Sequence, residues 1–394
     1  MVAALAGPAS ASVAASRRSD PISQQLQAAL DDVVAAGASG VTLRVDDGRR
    51  TYRSASGQAR LDPPQPLYSV AKIRVGSITK SFVSTVTLQL VGEGWLSLDD
   101  TVERWQPGLI PGGAQITVRQ LLNHTSGIFN YTDDQPFIEE LLANPVKPRT
   151  PKELIAVANS HPPVFAPGTG WSYSNTNYIV LGLILQRVTH RSVSKLIDQR
   201  IIRPLHLRHT SLPVRSPDIT GYHAHGYLPP FVTGDGYQDF TRISPTLAWT
   251  AGALVSNVDD LRRFYQALLG GKLLRPAQLA EMKTFVEVQP GFGYGLGLYH
   301  METPCGPIWG HDGGIPGYVT IGWNDETGRR GIAIGLATDP DPQIGPAFDR
   351  LVEVAACRAL GQDVPPATTA TRVAGGSDLW SRLIDHRRLP FARQ

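Results

Sequence analysis

The pattern of apolar positions sets one stretch above the others. Phe82, Val83, Val86 and Leu90 recur at helical spacing, and Leu88 and Val91 widen the apolar face until it covers most of the circumference. Such a helix, running to about Glu93, is expected to be buried as the central pillar of a domain. A short β-branched run ending at Gly76 precedes it, so Ser77 falls at a strand-to-helix junction. Upstream, Pro21 to Ala36 reads as an amphipathic helix with Ile22, Leu26, Leu30 and Val33 on one face. Val41 to Val45 alternates as a strand, Asp47-Gly48 turns, and Thr51 to Ala55 continues a hairpin.

From Leu98 to about Thr210 the pattern is helical. Thr117 caps a short helix, Phe137–Leu142 and Pro151–Ala158 follow, and Tyr178 to Val188 is nearly all apolar. Residues 213–250 are irregular, and Asn257 to Leu269 is helical again. Four runs then read as strands: Phe292–His300, Ile308–His311, Val319–Trp323 and Gly331–Ala337, before a closing amphipathic helix over Phe348–Leu360. Strands at both ends with helices between predict an α/β (α+β) chain: one antiparallel sheet flanked by N- and C-terminal helices, with an inserted all-helical domain. The boundaries follow as 21–75 with 250–362 for the sheet domain and 76–249 for the helical one. A cleft between the two is the default binding site.

Composition narrows the partners. The 394 residues are 42% hydrophobic and 18% charged, the balance of a globular protein with a sizeable core. A formal charge of +3, with no basic stripe interleaved with aromatics, excludes nucleic acid as a partner. No apolar run approaches the ~20 residues of a membrane-spanning helix. Residues 1–20 contain Ala9-Ser10-Ala11, a small-x-small cleavage pattern, and read as the remnant of a secretory signal, which makes the protein secreted. Residues 363–394 read as a disordered tail. Two cysteines, Cys305 and Cys357, leave two readings open: one disulfide in an exported protein, or two buried thiols.

Candidate chemistry centres on Ser-x-x-Lys, which occurs at Ser69/Lys72, Ser77/Lys80 and Ser192/Lys195. On a helix, positions i and i+3 share a face, so a hydroxyl and an amine meet there. The amine, desolvated by apolar neighbours, can orient or accept the hydroxyl proton, and first-turn N–H groups face any oxyanion formed nearby. Ser69 precedes the strand and Ser192 opens an amphipathic surface helix, so only Ser77 sits where this chemistry is possible. No Gly-x-Ser-x-Gly elbow supports a Ser-His-Asp triad. His223-x-His225 lacks a partner at metal-ligand spacing, so no metal or cofactor is expected. Trp249 and Phe129 are cleft or core aromatics, which the sequence does not decide.

Two further motifs follow in order: Tyr173-Ser174-Asn175, before an apolar helix, and His311-Asp312-Gly313, closing a strand. The order Ser-x-x-Lys, Tyr-x-Asn, His-x-Gly resembles the penicillin-recognising serine hydrolases: serine D-alanyl-D-alanine carboxypeptidases, class C β-lactamases and related esterases. The stretches Thr117-Val-Arg-Gln-Leu-Leu-Asn-His-Thr-Ser-Gly-Ile and Tyr294-Gly-Leu-Gly-Leu extend the likeness over residues 22–362. The resemblance implies Ser77 as nucleophile, Lys80 as its activator, and Tyr173 as general base and later acid. A free tyrosine titrates at about 10, so that role requires the positive field of Lys80. It further implies that Asn175 holds the substrate carbonyl and that His311 supports the leaving group electrostatically. Gly313 and Gly314 would lie at the substrate strand, with the N–H groups of Ser77 and Gly314 as the oxyanion hole. Within the family the chain resembles the secreted, soluble DD-carboxypeptidases, and that resemblance implies the Cys305–Cys357 disulfide.

The implied activity is a D-Ala-D-Ala carboxypeptidase working on peptidoglycan stem peptides through an acyl-enzyme, acylated by β-lactams, secreted and monomeric. Three departures count against strict D-Ala-D-Ala specificity. The chain has His-Asp-Gly-Gly where such relatives show His-Thr-Gly-Thr, Tyr299 where they place a carboxylate-binding arginine, and an added negative charge at Asp312. The alternatives are an esterase or other amide hydrolase of the same fold, a class C-like β-lactamase, and a non-catalytic penicillin-binding sensor.

Overall fold

A computed structural model describes residues 20–366. Of the segments read as a signal remnant (1–20) and a disordered tail (363–394), residues 1–19 and 367–394 lie outside the described residues. A nine-stranded antiparallel sheet organises the chain. In chain order its strands are β1 (Gly40–Asp47), β2 (Thr51–Arg60), β3 (Gln65–Pro66), β4 (Val286–Gln289), β5 (Phe292–Tyr294), β6 (Tyr299–Met301), β7 (Ile308–Ile315), β8 (Tyr318–Asn324) and β9 (Arg330–Leu336). Their spatial order is β3-β2-β1-β9-β8-β7-β6-β5-β4, so the two ends of the chain meet at the β1–β9 pair, in the register Leu43↔Ile334.

The period of two along these strands sorts the helices onto faces. Val41, Leu43, Val45, Ile332, Ile334 and Leu336 point to one face, where α1 (Pro21–Ala35) and the closing helix α5 (Ile344–Leu360) cover them. The opposite face takes α2 (Ile78–Gly92) and α4 (Val258–Leu269). The sheet's two faces therefore bury two separate apolar clusters, and the one around α2 continues into the helical region. There α3 (Asn175–Thr189) packs beside α2. Almost every residue of α2 from Ile78 to Leu88 is buried, as its all-round apolar pattern requires. No helix among the described residues is long and apolar enough to cross a membrane.

The sequence pattern and the structure differ in several places. The single strand read over Phe292–His300 is two strands, β5 and β6, because Gly297 adopts φ 75° and turns the chain against α2. A Cβ there would lie 2.0 Å from Ser84 Oγ, so only glycine fits. Helix Pro276–Lys283 was not legible, since Met282 alone among its residues is buried and no apolar stripe marks it. The hairpin strand β2 extends to Arg60, well beyond Ala55.

Cys305 and Cys357 are joined by a disulfide, with Cα atoms 5.0 Å apart, that ties the turn before β7 to α5 across 52 residues. In the chain-entropy account a loop of that length is worth about 4 kcal/mol. Replacing both cysteines by serine should lower stability by roughly that amount, read as a shifted midpoint in denaturant unfolding.

Candidate active site

The strand-to-helix junction before α2 presses against the free edge of β7. β6 pairs with β7 only as far as Gly310, which leaves residues 311–315 unpaired on that side. Gly76 takes φ 51°, and a Cβ on it would come within 2.7 Å of Gly314 N. A Cβ on Gly313 would lie 1.9 Å from Val75 O. Three glycines thus let two backbones meet, and Ser77 opens α2 at their crossing, partly exposed.

Lys80 lies one turn further along, fully buried. Its Nζ is 3.0 Å from Ser77 Oγ, 2.7 Å from Asn175 Oδ1 and 2.8 Å from Ala251 O. Burial pushes its pKa well below the usual lysine value, against the opposing pull of Asp312. The hydrogen-bond inventory then fixes the arrangement. The two carbonyl oxygens can only accept, so two of the amine's hydrogens go to them. Its third polar direction faces the Ser77 hydroxyl, where the neutral form that burial favours presents its lone pair.

Tyr173 stands on the other side of Ser77, with its ring centroid 4.8 Å from Lys80 Nζ and its hydroxyl hydrogen-bonded to Ser77. Burial drives this phenol well above the ordinary tyrosine value, and the Ser77 hydrogen bond only partly offsets it. Burial thus works against the positive field that the sequence reading required. Desolvation favours the neutral form of both groups, an amine beside a phenol. Asn175 is fixed from three directions: its Oδ1 accepts from Lys80, its Nδ2 donates to Thr132 Oγ1 at 3.0 Å, and its N–H donates to Asn130 Oδ1 at 3.0 Å.

His311 differs from its expected part. It is buried behind Tyr173, with ring centroids 6.4 Å apart. Nδ1 lies 2.6 Å from the Asp312 carbonyl oxygen and Nε2 lies 2.7 Å from Tyr294 OH. The carbonyl can only accept, so Nδ1 carries the proton and Nε2 accepts from the tyrosine. Burial lowers its pKa to about 3, so the ring is neutral and supplies no positive charge to a leaving group. Asp312, next to it on β7 and also buried, has its carboxyl pushed up to about 6 by desolvation.

These groups bound a cleft of about 260 Å³. Ser77, Tyr173, Asn175 and Gly314 line it, whereas Lys80, His311 and Gly313 stand behind its wall. Much of the rest is apolar: Ile138, Leu141 and Leu142 on one side, Leu228, Phe231 and Val232 on another. Asp133, Asp339 and Asp341 also line it, and among the described residues no arginine or lysine does. Phe129 stacks on His161 instead, and Trp249 packs at Gly182.

The other two Ser-x-x-Lys pairs do not converge. Ser192 Oγ caps its own helix at Lys195 N, and Lys72 donates to Thr220 O. His225 pairs with Asp239 at 2.7 Å. Sequence reasoning missed Asn130 and Thr132, which hold Asn175, and Tyr294, which donates to His311. The Tyr294-Gly-Leu-Gly-Leu stretch was visible as a landmark, but the reach of its phenol across strands was not.

Comparison with known proteins places the chain in a family. The family profile described as Beta-lactamase matches residues 26–356. Penicillin-binding protein 4* of Bacillus subtilis is 28% identical over 72% of this chain, a match spanning 64% of that protein's length. Esterase EstB of Burkholderia gladioli is 26% identical over 68% of this chain and 76% of its own. Among solved structures, a D-stereospecific amidohydrolase from Streptomyces sp. superposes with TM-score 0.76 at 38% identity, covering 83% of this chain and 97% of that one. The D-amino acid amidase of Ochrobactrum anthropi SV3 superposes with TM-score 0.75 at 30% identity, over 84% and 98% of the two chains.

Asp312 and His311 give opposite pH dependences. The Asp312 carboxyl, raised from 3.8 to about 6, favours the folded state while it holds its proton, and that benefit is lost as pH rises through 6. His311, lowered from 6.5 to about 3, contributes fully above pH 6.5 and loses its contribution as pH falls towards 3. Asp312→Asn should therefore raise the melting temperature over that of the natural protein more at pH 8 than at pH 4.5. The pH 8 gain is on the order of 2 kcal/mol, checked by thermal unfolding at both pH values.

Proposed function

Since this chain belongs to the beta-lactamase family of serine hydrolases, we propose that it cleaves amides of apolar amino acids, with esters as secondary substrates, through an acyl-enzyme on Ser77. The Ser77 Oγ–carbon bond forms as the hydroxyl proton passes to the Lys80 amine, whose lone pair faces it. The phenol of Tyr173, hydrogen-bonded to the same hydroxyl, donates its proton to the departing nitrogen as the carbon–nitrogen bond breaks, and recovers one from Lys80. Water then enters by the reverse relay and releases the acid. The N–H groups of Ser77 and Gly314 hold the oxyanion where the glycines bring the two backbones together. Asn175, its amide fixed by Lys80 and Thr132, positions the substrate.

The observation that carries the substrate class is the lining of the cleft: apolar walls, three aspartates and no cation. A substrate ending in a carboxylate would lose its hydration there and gain no charged partner. One missing charge-assisted hydrogen bond costs about 1.5–3 kcal/mol, roughly 10- to 150-fold in selectivity. An amino acid amide has no carboxylate, and its ammonium group meets acidic neighbours. The D configuration is proposed from the names of the two structural neighbours, a D-stereospecific amidohydrolase and a D-amino acid amidase. A D-Ala-D-Ala carboxypeptidase is the second reading, supported by the motif order and by the penicillin-binding relatives.

Turnover of D-phenylalanine amide, L-phenylalanine amide and an N-acylated peptide ending in D-Ala-D-Ala separates these. The D-amide is expected to exceed the peptide in kcat/KM by about 100-fold, in line with the missing charged contact. Faster D-alanine release from the peptide would sink the amidase reading. Ser77→Ala should abolish labelling by a fluorophosphonate, while Ser69→Ala and Ser192→Ala should label like the natural protein.

A further inference from the structure

Every role above depends on Tyr173 being held at one spot, yet Tyr173 sits in a loop that joins no regular element until α3 begins at Asn175. One residue that takes no part in the proposed chemistry touches that loop on both flanks of the tyrosine. His124 follows the short helix Val118–Leu122 and is fully buried. Its backbone has φ 64°, in the left-handed region that a β-carbon disfavours. Strain of this kind persists where the surroundings over-determine it, and here the surroundings are the loop.

Three contacts define the clamp. The carbonyl oxygen of His124 accepts from Ser172 N at 3.1 Å, on the near side of Tyr173. Its Nδ1 accepts from Ser174 N at 3.1 Å on the far side, and lies 3.3 Å from Asn177 Nδ2 inside α3. Its ring lies 4.3 Å, centroid to centroid, from the Tyr173 ring itself. Asn177 is aligned in turn by Ser126, whose hydroxyl donates to Asn177 Oδ1 at 2.7 Å. An imidazole nitrogen that accepts cannot carry a proton, so the hydrogen is on Nε2, which has no hydrogen-bond partner. A buried unpaired N–H is costly, and the site tolerates it in order to keep Nδ1 as an acceptor. Burial also keeps the ring neutral, which preserves that lone pair.

We infer that His124 is a positioning residue: through its carbonyl, its Nδ1 and its ring, it fixes the Tyr173 phenol on the Ser77 hydroxyl. The inference rests on the proposed role of Tyr173 and goes beyond it. His124 touches no reacting atom, so it acts on the rate of proton transfer and hardly on substrate binding.

The test uses hydrolysis of an aryl ester, p-nitrophenyl butyrate, so the outcome does not depend on the amide preference. His124→Phe keeps a ring against Tyr173 but removes the acceptor. It should lower kcat about 100-fold, the usual effect of an ångström-scale misplacement, while KM stays within about 3-fold. His124→Asn retains an acceptor atom on Cγ and adopts the left-handed backbone readily, so it should stay within about 10-fold of the natural kcat. His124→Gly, at ease with the backbone but without an acceptor, stands in if the phenylalanine variant does not fold, and should match its loss. In a Tyr173→Phe background, where the phenol is already gone, His124→Phe should cost less than about 3-fold more. A folded His124→Phe or His124→Gly enzyme with kcat near that of His124→Asn overturns the inference. So does an undiminished loss in the Tyr173→Phe background. A fully active Tyr173→Phe enzyme would instead sink the tyrosine's role, and the inference with it.

Discussion

The structure turns on a lysine amine that water does not reach. Lys80 occupies the first turn of a helix buried on nearly all sides, and its Nζ has three polar neighbours. Two of them, Asn175 Oδ1 and Ala251 O, take its hydrogens, and the third is the serine. Leaving one of those oxygens without a donor would cost on the order of 1–3 kcal/mol, so the pieces of chain that carry them are held in place by the amine as much as they hold it. Those pieces come from the start of α3 and from the segment before α4, far apart in sequence. Thr79 works to the same end: its hydroxyl donates to Gly76 O and accepts from Leu254 N, tying that second segment to the junction. The helical region and the sheet are joined here by hydrogen bonds to one turn of α2.

That dependence explains what could be read from the chain and what could not. The pillar helix was legible because its apolar residues leave no polar face, and Ser77 because a glycine and a strand precede it. The antiparallel sheet was legible because Val41–Val45 and Val319–Trp323 alternate or run apolar in pieces of strand length. The partners of the site were harder to see. Asn130 and Thr132 lie in an irregular stretch with no periodicity, and their use follows only from where α3 begins. The helix Pro276–Lys283 escaped because it buries a single side chain. Sequence spacing also misplaced His311: the motif put it in the right strand, but only the fold shows that β7 turns it under Tyr173, where a phenol and a carbonyl occupy both its nitrogens.

Protonation states were the least legible of all, because they depend on desolvation that no spacing encodes. The sequence argument set a charged lysine beside a tyrosine and asked the first to acidify the second. Burial acts on each more strongly than they act on one another, and it favours the uncharged form in both cases. In the proposed mechanism a neutral amine beside a neutral phenol moves the proton with no ion pair to break first. On that reading the transition-state charge is created only when the oxyanion forms, where the N–H groups of Ser77 and Gly314 are proposed to hold it.

The same desolvation underlies the selectivity proposed for the site. Asp312 lies on β7 one residue from His311, close enough to raise the pKa of Lys80, and three more aspartates line the cleft. No arginine or lysine opposes them from the cleft wall among the described residues. On the proposed reading, an anionic substrate therefore meets a penalty and not merely a missing attraction. Tyr299, whose phenol accepts from Trp323 Nε1 at 2.5 Å and bonds to Asp312, stands on the neighbouring strand β6. Its hydroxyl is engaged on the sheet side, so it is not free to turn towards a carboxylate. On that reading, selection against a negative end is built from burial and existing hydrogen bonds.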